Sequence, residues 1–161
     1  MRNPDFLGGA ADLHVHSSPD VDPRRFDDLE LAQEAARAGM AALLIKSHQS
    51  STVERAILVS KIVPEIQVFG GLVLNDTVGG LNPAAVRLAL RMGAKEIWMP
   101  TRSARNHRRA CGEGNEGIEI LDGDGRLIPV VDSILDLIAG SENLRRTVPV
   151  EIPHQHDFVR R

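Results

Sequence analysis

The chain carries a single cysteine, Cys111, among its 161 residues. One thiol rules out an internal disulfide framework and fits a reducing compartment. Tyrosine is absent and the aromatics are four Phe and one Trp, so a core has to be assembled from Leu, Ile, Val and Ala. Neither sign of charge dominates. At a formal net charge of -3 there is no overall basic field to attract nucleic acid. No apolar run approaches the roughly 20 residues of a membrane span. The N-terminus also lacks the cationic stretch and apolar core of a signal peptide. No G-x-S-x-G elbow occurs, and Cys111 has only arginines nearby, which argues against a Ser or Cys nucleophile. The expectation is a cytoplasmic protein of one domain, with no membrane or nucleic-acid partner and with a small molecule as its substrate.

What the sequence does contain is concentrated in Asp12-Leu13-His14-Val15-His16. On a strand, alternation places Asp12, His14 and His16 on one face and Leu13 and Val15 on the other. Two imidazoles about 7 Å apart along the backbone can clamp one metal ion from one side. The same spacing also occurs in ordinary strand-end histidine pairs. Polar residues Ser17, Ser18, Pro19 and Asp20 close the stretch.

Downstream, a strand–loop–helix pattern recurs. Asp27 or Asp28 caps a helix bearing Leu29, Ala32, Ala36 and Met40, stopped at Gly39. Residues 40–45 form an apolar strand ending in Lys46-Ser47-His48. Ser51 to Glu54 has capping-box spacing before a helix with Val53, Ala56, Ile57, Ser60 and Val63 on one face. Residues 66–74 form a third strand, closing on Asn75 and Asp76. Asn82 and Pro83 open a third helix, which ends at Gly93, and a fourth strand covers 95–99. Repeats of about 27 to 30 residues with this alternation predict an α/β fold of parallel (β/α) units.

In such folds ligands bind at the carboxyl ends of the strands. Those ends carry His14 and His16, then Lys46 and His48, then Asn75 and Asp76, then Thr101. Residues 100–117, with Arg102, Arg105, His107, Arg108 and Arg109, read as a long loop with room for one helical turn. Its arginines either hold an anionic substrate group or form a solvated basic loop. Residues 118–128 read as a short hairpin turning at Asp122-Gly123-Asp124-Gly125, without the later ligands of a calcium loop. A further helix opens at Pro129, buries Ile134, Leu137 and Ile138, and ends at Gly140. The expected division is a barrel-like domain over 1–140 and an irregular tail over 141–161. Within the tail, 148–152 could form a strand. His154 and His156 have ligand chemistry but a terminal position.

With Asp12-Leu13-His14-Val15-His16-Ser17 and Ile45-Lys46-Ser47-His48 in view, the chain resembles the metal-dependent hydrolases of the amidohydrolase superfamily and the polymerase and histidinol phosphatase (PHP) family. It is similar above all to uncharacterised amidohydrolase-like barrel proteins, through Phe69 to Asn75 and Trp98 to Thr101. The resemblance spans roughly residues 8 to 140. It implies a TIM-type barrel in which His14, His16 and His48 bind a divalent metal, zinc first and manganese second. Asp12 would orient an imidazole or accept a proton, and Lys46 would stabilise charge or touch substrate. Asn75, Arg102, Arg105 and His107 would contact substrate. Activity would be hydrolysis of an amide, ester, lactone or phosphoester.

The chain departs from that pattern in three ways. The acidic neighbour of His48 and the PHP Glu after strand three are missing. Lys46 lies on strand two, not on strand four, where amidohydrolases carry a bridging lysine. A complete barrel typically takes about 250 residues, so the expectation is a partial or truncated barrel whose open strand edges favour homo-oligomers. Two alternatives stand beside hydrolysis: an inactive truncated barrel serving as a metal-binding or oligomeric scaffold, and a metal-free α/β protein that binds a small anion.

Overall fold

A computed structural model describes residues 6–141. The expected tail, with His154, His156 and the 148–152 strand, lies outside the described residues apart from Ser141. Four parallel strands, β1 (Ala11–Val15), β2 (Ala42–Ile45), β3 (Gln67–Val73) and β4 (Glu96–Trp98), form one curled sheet in the order β1-β2-β3-β4. Helices α1 (Asp28–Arg37), α2 (Val53–Ile62) and α3 (Pro83–Met92) connect them. After β4 come the short α4 (Arg105–Ala110) and α5 (Pro129–Ala139), which packs beside α3. This is the expected α/β alternation, curled as half of a barrel. Among the described residues β1 and β4 stand at the two edges of the sheet, and no helix is long and apolar enough to cross a membrane.

Period-two alternation divides the sheet into two faces. Val15, Leu43, Ile45 and Val68 pack against α1 and α2, and Leu72, Leu74, Ile97 and Met99 against α3 and α5. The opposite, concave face carries Leu44, Phe69, Val73 and Trp98. In α2 the buried residues are Val53, Ala56 and Val59, with Val63 just beyond, whereas Ile57 is 40% exposed. The packed stripe is therefore rotated from the expected one towards Val59. In α5 the fully buried residues are Val131 and Ile134, and Leu137 and Ile138 are half-buried.

The helix boundaries follow local chemistry. Asp27 and Glu30 form a reciprocal capping box at α1. Asn82 caps α3 by accepting from the Ala84 and Ala85 amides, and Gly93 ends that helix at φ 99°. The capping box expected at α2 takes another form. Ser51 Oγ accepts from the Val53 amide and donates to Glu54, while Thr52 is fully buried and leaves the helix end uncapped. The Thr52 hydroxyl instead donates to the Ile45 carbonyl (2.6 Å) and accepts from the Gly71 amide (2.9 Å), joining β2 to β3.

Gly70 and Gly71 leave no room for a side chain. A Cβ at 70 would lie 2.3 Å from the Thr52 carbonyl oxygen, and one at 71 would lie 2.6 Å from Cζ3 of Trp98. The first glycine admits the start of α2, and the second admits the indole across the concave face. Residues 118–128 form the expected hairpin with very short arms, in which the Asp122 amide donates to the Arg126 carbonyl (2.8 Å) and the Ile128 amide to the Ile120 carbonyl (3.1 Å). A single antiparallel bridge, Leu121–Leu127, closes a turn in which Asp122 Oδ1 accepts from the amides of Asp124 and Arg126.

Candidate active site

At the carboxyl end of the sheet lies a cavity of about 850 Å³, within the size range of small-molecule sites. One wall comes from strand ends: His14 of β1, His16 just beyond it, and Lys46 and His48 after β2. The other comes from Thr101 and Arg102 after β4, from α4 and from residues 118–125. Parallel strands with helices returning behind them bring every loop that follows a strand to this rim.

The imidazoles are neighbours. Ring centroids of His14 and His16 are 5.4 Å apart, and those of His16 and His48 are 5.0 Å apart with planes inclined by 24°. Nδ1 of His48 is 2.8 Å from the Thr101 hydroxyl, and Nδ1 of His16 is buried with no hydrogen-bond partner among the described residues. Burial lowers the pKa of both, each to about 4. For His16 the charges of Arg24, His14 and Lys46 add to the effect, and for His48 those of Arg102, His16 and Lys46, with Asp20 opposing in both. Both rings are therefore neutral near pH 7, the form that ligates metal.

Donor chemistry thus fits a divalent ion: neutral imidazoles, one with an orphaned nitrogen and one held from behind by a hydroxyl. The arrangement is not closed, however. Among the described residues no group of three or more His, Cys, Asp or Glu side chains is placed to hold an ion together. Imidazole lone pairs lie in the ring plane, so the nearly parallel stack of His16 on His48 directs them side by side. Holding a shared ion requires rotation of at least one ring.

Lys46 is 1% exposed, with Nζ 4.7 Å above the centroid of the Trp98 ring, a cation–π contact inside the cavity wall. His14 stands 6.4 Å from the same indole. Asp12 is not part of the cavity wall: its Oδ1 accepts from the backbone amide of His14 at 2.9 Å. Asn75, expected to meet substrate, is 2% exposed and works as a bracket. Its amide nitrogen donates to the His48 carbonyl (3.0 Å) and the Thr101 hydroxyl (2.9 Å), and its oxygen accepts from the Thr101 and Ser103 amides. Arg102 and Arg105 line the cavity but are engaged. Arg102 pairs with Asp22 (2.5 Å), and Arg105 with Glu119 (2.5 Å) and the Asn115 carbonyl. His107 lines the cavity with Nε2 3.6 Å from Cys111 Sγ.

Sequence reasoning did not foresee an ion-paired strap that reaches the cavity wall at Arg102. The Asp20 side chain is 1% exposed and takes both Nε and an Nη of Arg24, while Asp22 pairs with both Arg24 and Arg102. Burial pushes the Asp20 carboxyl up, but the Arg24 and backbone hydrogen bonds prevail and hold it below the usual range. The Arg102 hydrogen bond does the same for Asp22. Nor was a buried clamp behind His16 foreseen. Arg55 donates twice to Asp28 and once to the Ser17 carbonyl, and the Ser17 hydroxyl donates to Asp28. The alternating Asp20-Val21-Asp22 ahead of Arg24 was the one local signal for the strap.

Parallel strands, returning helices and a strand-end cavity lined by histidines define the class, an α/β protein. Residues 9–147 match the Family of unknown function (DUF6282), and the chain belongs to that family. Comparison with curated proteins and with solved structures found no match.

Proposed function

We propose that this chain is a metal-dependent hydrolase of a small molecule, built on part of a TIM-type barrel and working in the cytoplasm. One observation carries the reading: three imidazoles from the ends of two adjacent parallel strands meet on one wall of a large cavity. His14, His16 and His48 would hold the ion, with zinc ahead of manganese on the strength of an all-nitrogen donor set. A bound divalent ion supplies a water ionised near neutral pH and a Lewis-acid contact to a carbonyl or phosphoryl oxygen.

The remaining work falls to the chain itself. Thr101 fixes the orientation of the His48 ring, and Asn75 fixes both the loop bearing it and the loop bearing Thr101. Lys46 places a positive charge beside the imidazoles, where it opposes their protonation and can stabilise negative charge developing on an acyl or phosphoryl group. Asp12 sets the backbone of His14. Amide, ester, lactone and phosphoester bonds all suit this chemistry.

Elemental analysis of the purified protein tests the proposal, with His14→Ala/His16→Ala beside the wild type. About one equivalent of zinc or manganese, lost in the double variant, is the expected result. Absence of stoichiometric metal from both proteins, after excess ion is offered, overturns it. The open arrangement of the three rings favours one rival, a metal-free pocket for a small anion.

A further inference from the structure

The cavity lining holds four cationic side chains, Lys46, Arg102, Arg105 and Arg109, against two carboxylates, Glu119 and Asp122. Ion pairing sorts these cations. Arg102 is neutralised by Asp22 and Arg105 by Glu119, while Lys46 is spread against the indole. Asp122 spends one carboxylate oxygen on two backbone amides of its own turn. The neighbouring Arg108 leans away to pair with Asp76. Arg109 is the arginine of this lining with a neutral anchor: an Nη donates to Asn106 Oδ1 at 2.9 Å, and among the described residues no carboxylate lies within ion-pair distance of it. The cavity lining also includes the apolar Met99, Pro100, Ile118, Ile120 and Leu121.

We propose that Arg109, steadied by Asn106, is the seat for the anionic end of an amphipathic organic oxyanion whose apolar body lies along Ile118, Ile120 and Leu121. This rests on the reading of the cavity as a substrate site and adds the class of ligand. A guanidinium matches the geometry of a carboxylate or phosphoryl group, and anchoring by a neutral amide positions the fork without cancelling its charge. A cavity of about 850 Å³ far exceeds what an inorganic ion fills and suits a ligand with a hydrocarbon body.

The test uses chelator-treated full-length protein and three probes measured by calorimetry: phenylphosphonate, benzoate and neutral benzyl alcohol. Both anions should bind more tightly than the alcohol, and the tighter of the two identifies the head group. Arg109→Met should weaken the better anion about tenfold or more, the scale of one charge-assisted contact. Arg37→Met, at the exposed end of α1 and outside the cavity, should stay within about twofold of wild type. Equal binding of alcohol and anions, or an Arg109→Met protein with wild-type affinity, overturns the assignment. Loss of anion binding in His14→Ala/His16→Ala with retention in Arg109→Met places the anion on the imidazoles and overturns it as well. Anion binding through Arg109 in a protein that takes up no metal would leave this inference standing while the hydrolase reading falls.

Discussion

The strand-end wall of the cavity and the wall made by α4 and residues 118–125 face the same space but are held in different ways. Behind His16, Ser17, Asp28 and Arg55 form a clamp in which the Asp28 and Arg55 side chains are 10% and 16% exposed. Behind His48, the buried Asn75 amide ties two loops together through four hydrogen bonds. On the opposite wall, Arg105 and Glu119 meet with side chains 49% and 53% exposed, and the Arg102–Asp22 pair is similarly wet. Ion pairs screened by water contribute little and re-form readily, whereas a desolvated pair resists any rearrangement that would leave one charge alone. On the proposed reading, the contrast is a division of labour in which the sheet holds the imidazoles still and the loop wall adapts to a substrate.

Replacing an arginine on each side is the most direct way to break this contrast. Arg55→Ala should cost about 3 kcal/mol of stability in urea unfolding, because Asp28 then remains largely buried with only the Ser17 hydroxyl as partner. A loss under about 1 kcal/mol would show that water enters the clamp freely and that the two walls are alike.

Acid should act on the strand-end wall before it acts on the loop wall. His16 and His48 ionise near pH 4 when folded and near 6.5 when unfolded, so between these values the unfolded chain takes up more protons. Their contribution is complete above about pH 6.5 and is lost as the pH falls towards 4. Both rings are partly solvated, so the two together amount to about 1 kcal/mol once discounted for screening. Unfolding of chelator-treated protein at pH 7 and pH 4.5 should show a smaller acid loss in His16→Ala/His48→Ala than in wild type. An identical loss would remove these rings as the cause.

The smallest effect belongs to the loop wall. Arg105→Ala should change stability by no more than about 0.5 kcal/mol, and that change should shrink in high salt. A larger, salt-independent loss would mark the α4 wall as structural and sharpen the comparison in the opposite direction.

Element types were legible in the sequence because they rest on neighbours in the chain. Asp27 with Glu30, Asn82 with Pro83, and Gly93 at positive φ each act within one helical turn. The unbroken apolar run through Ala42–Ile45 gave its strand for the same reason. Less legible was which stripe of α2 turns inward, since that depends on where Gly70 lets the helix approach β3. The short-armed hairpin at residues 118–128 was legible, by contrast, because the Asp122 turn and the backbone bonds that close it join residues at most eight positions apart.

For the site, the residue types and their position at the strand ends were visible, and the partners were not. Asn75 looked like a substrate contact, and its buried bracket appears only when β3 and the loop after β4 lie side by side. Arg102 and Arg105 looked available, and their partners stand 80 and 14 residues away in sequence.

By itself the sequence determined the alternation of strands and helices, the helix caps, and the presence of imidazoles at the ends of the first two strands, because side-chain periodicity and capping are set by residues within a few positions of each other. Only the tertiary structure decided that His16 stacks on His48, that Trp98 lies under Lys46, and that of the arginines around α4 it is Arg109 that lines the cavity with no carboxylate partner among the described residues. Burial and charge pairing are properties of the space around a group, and that space is filled by residues the local sequence does not name.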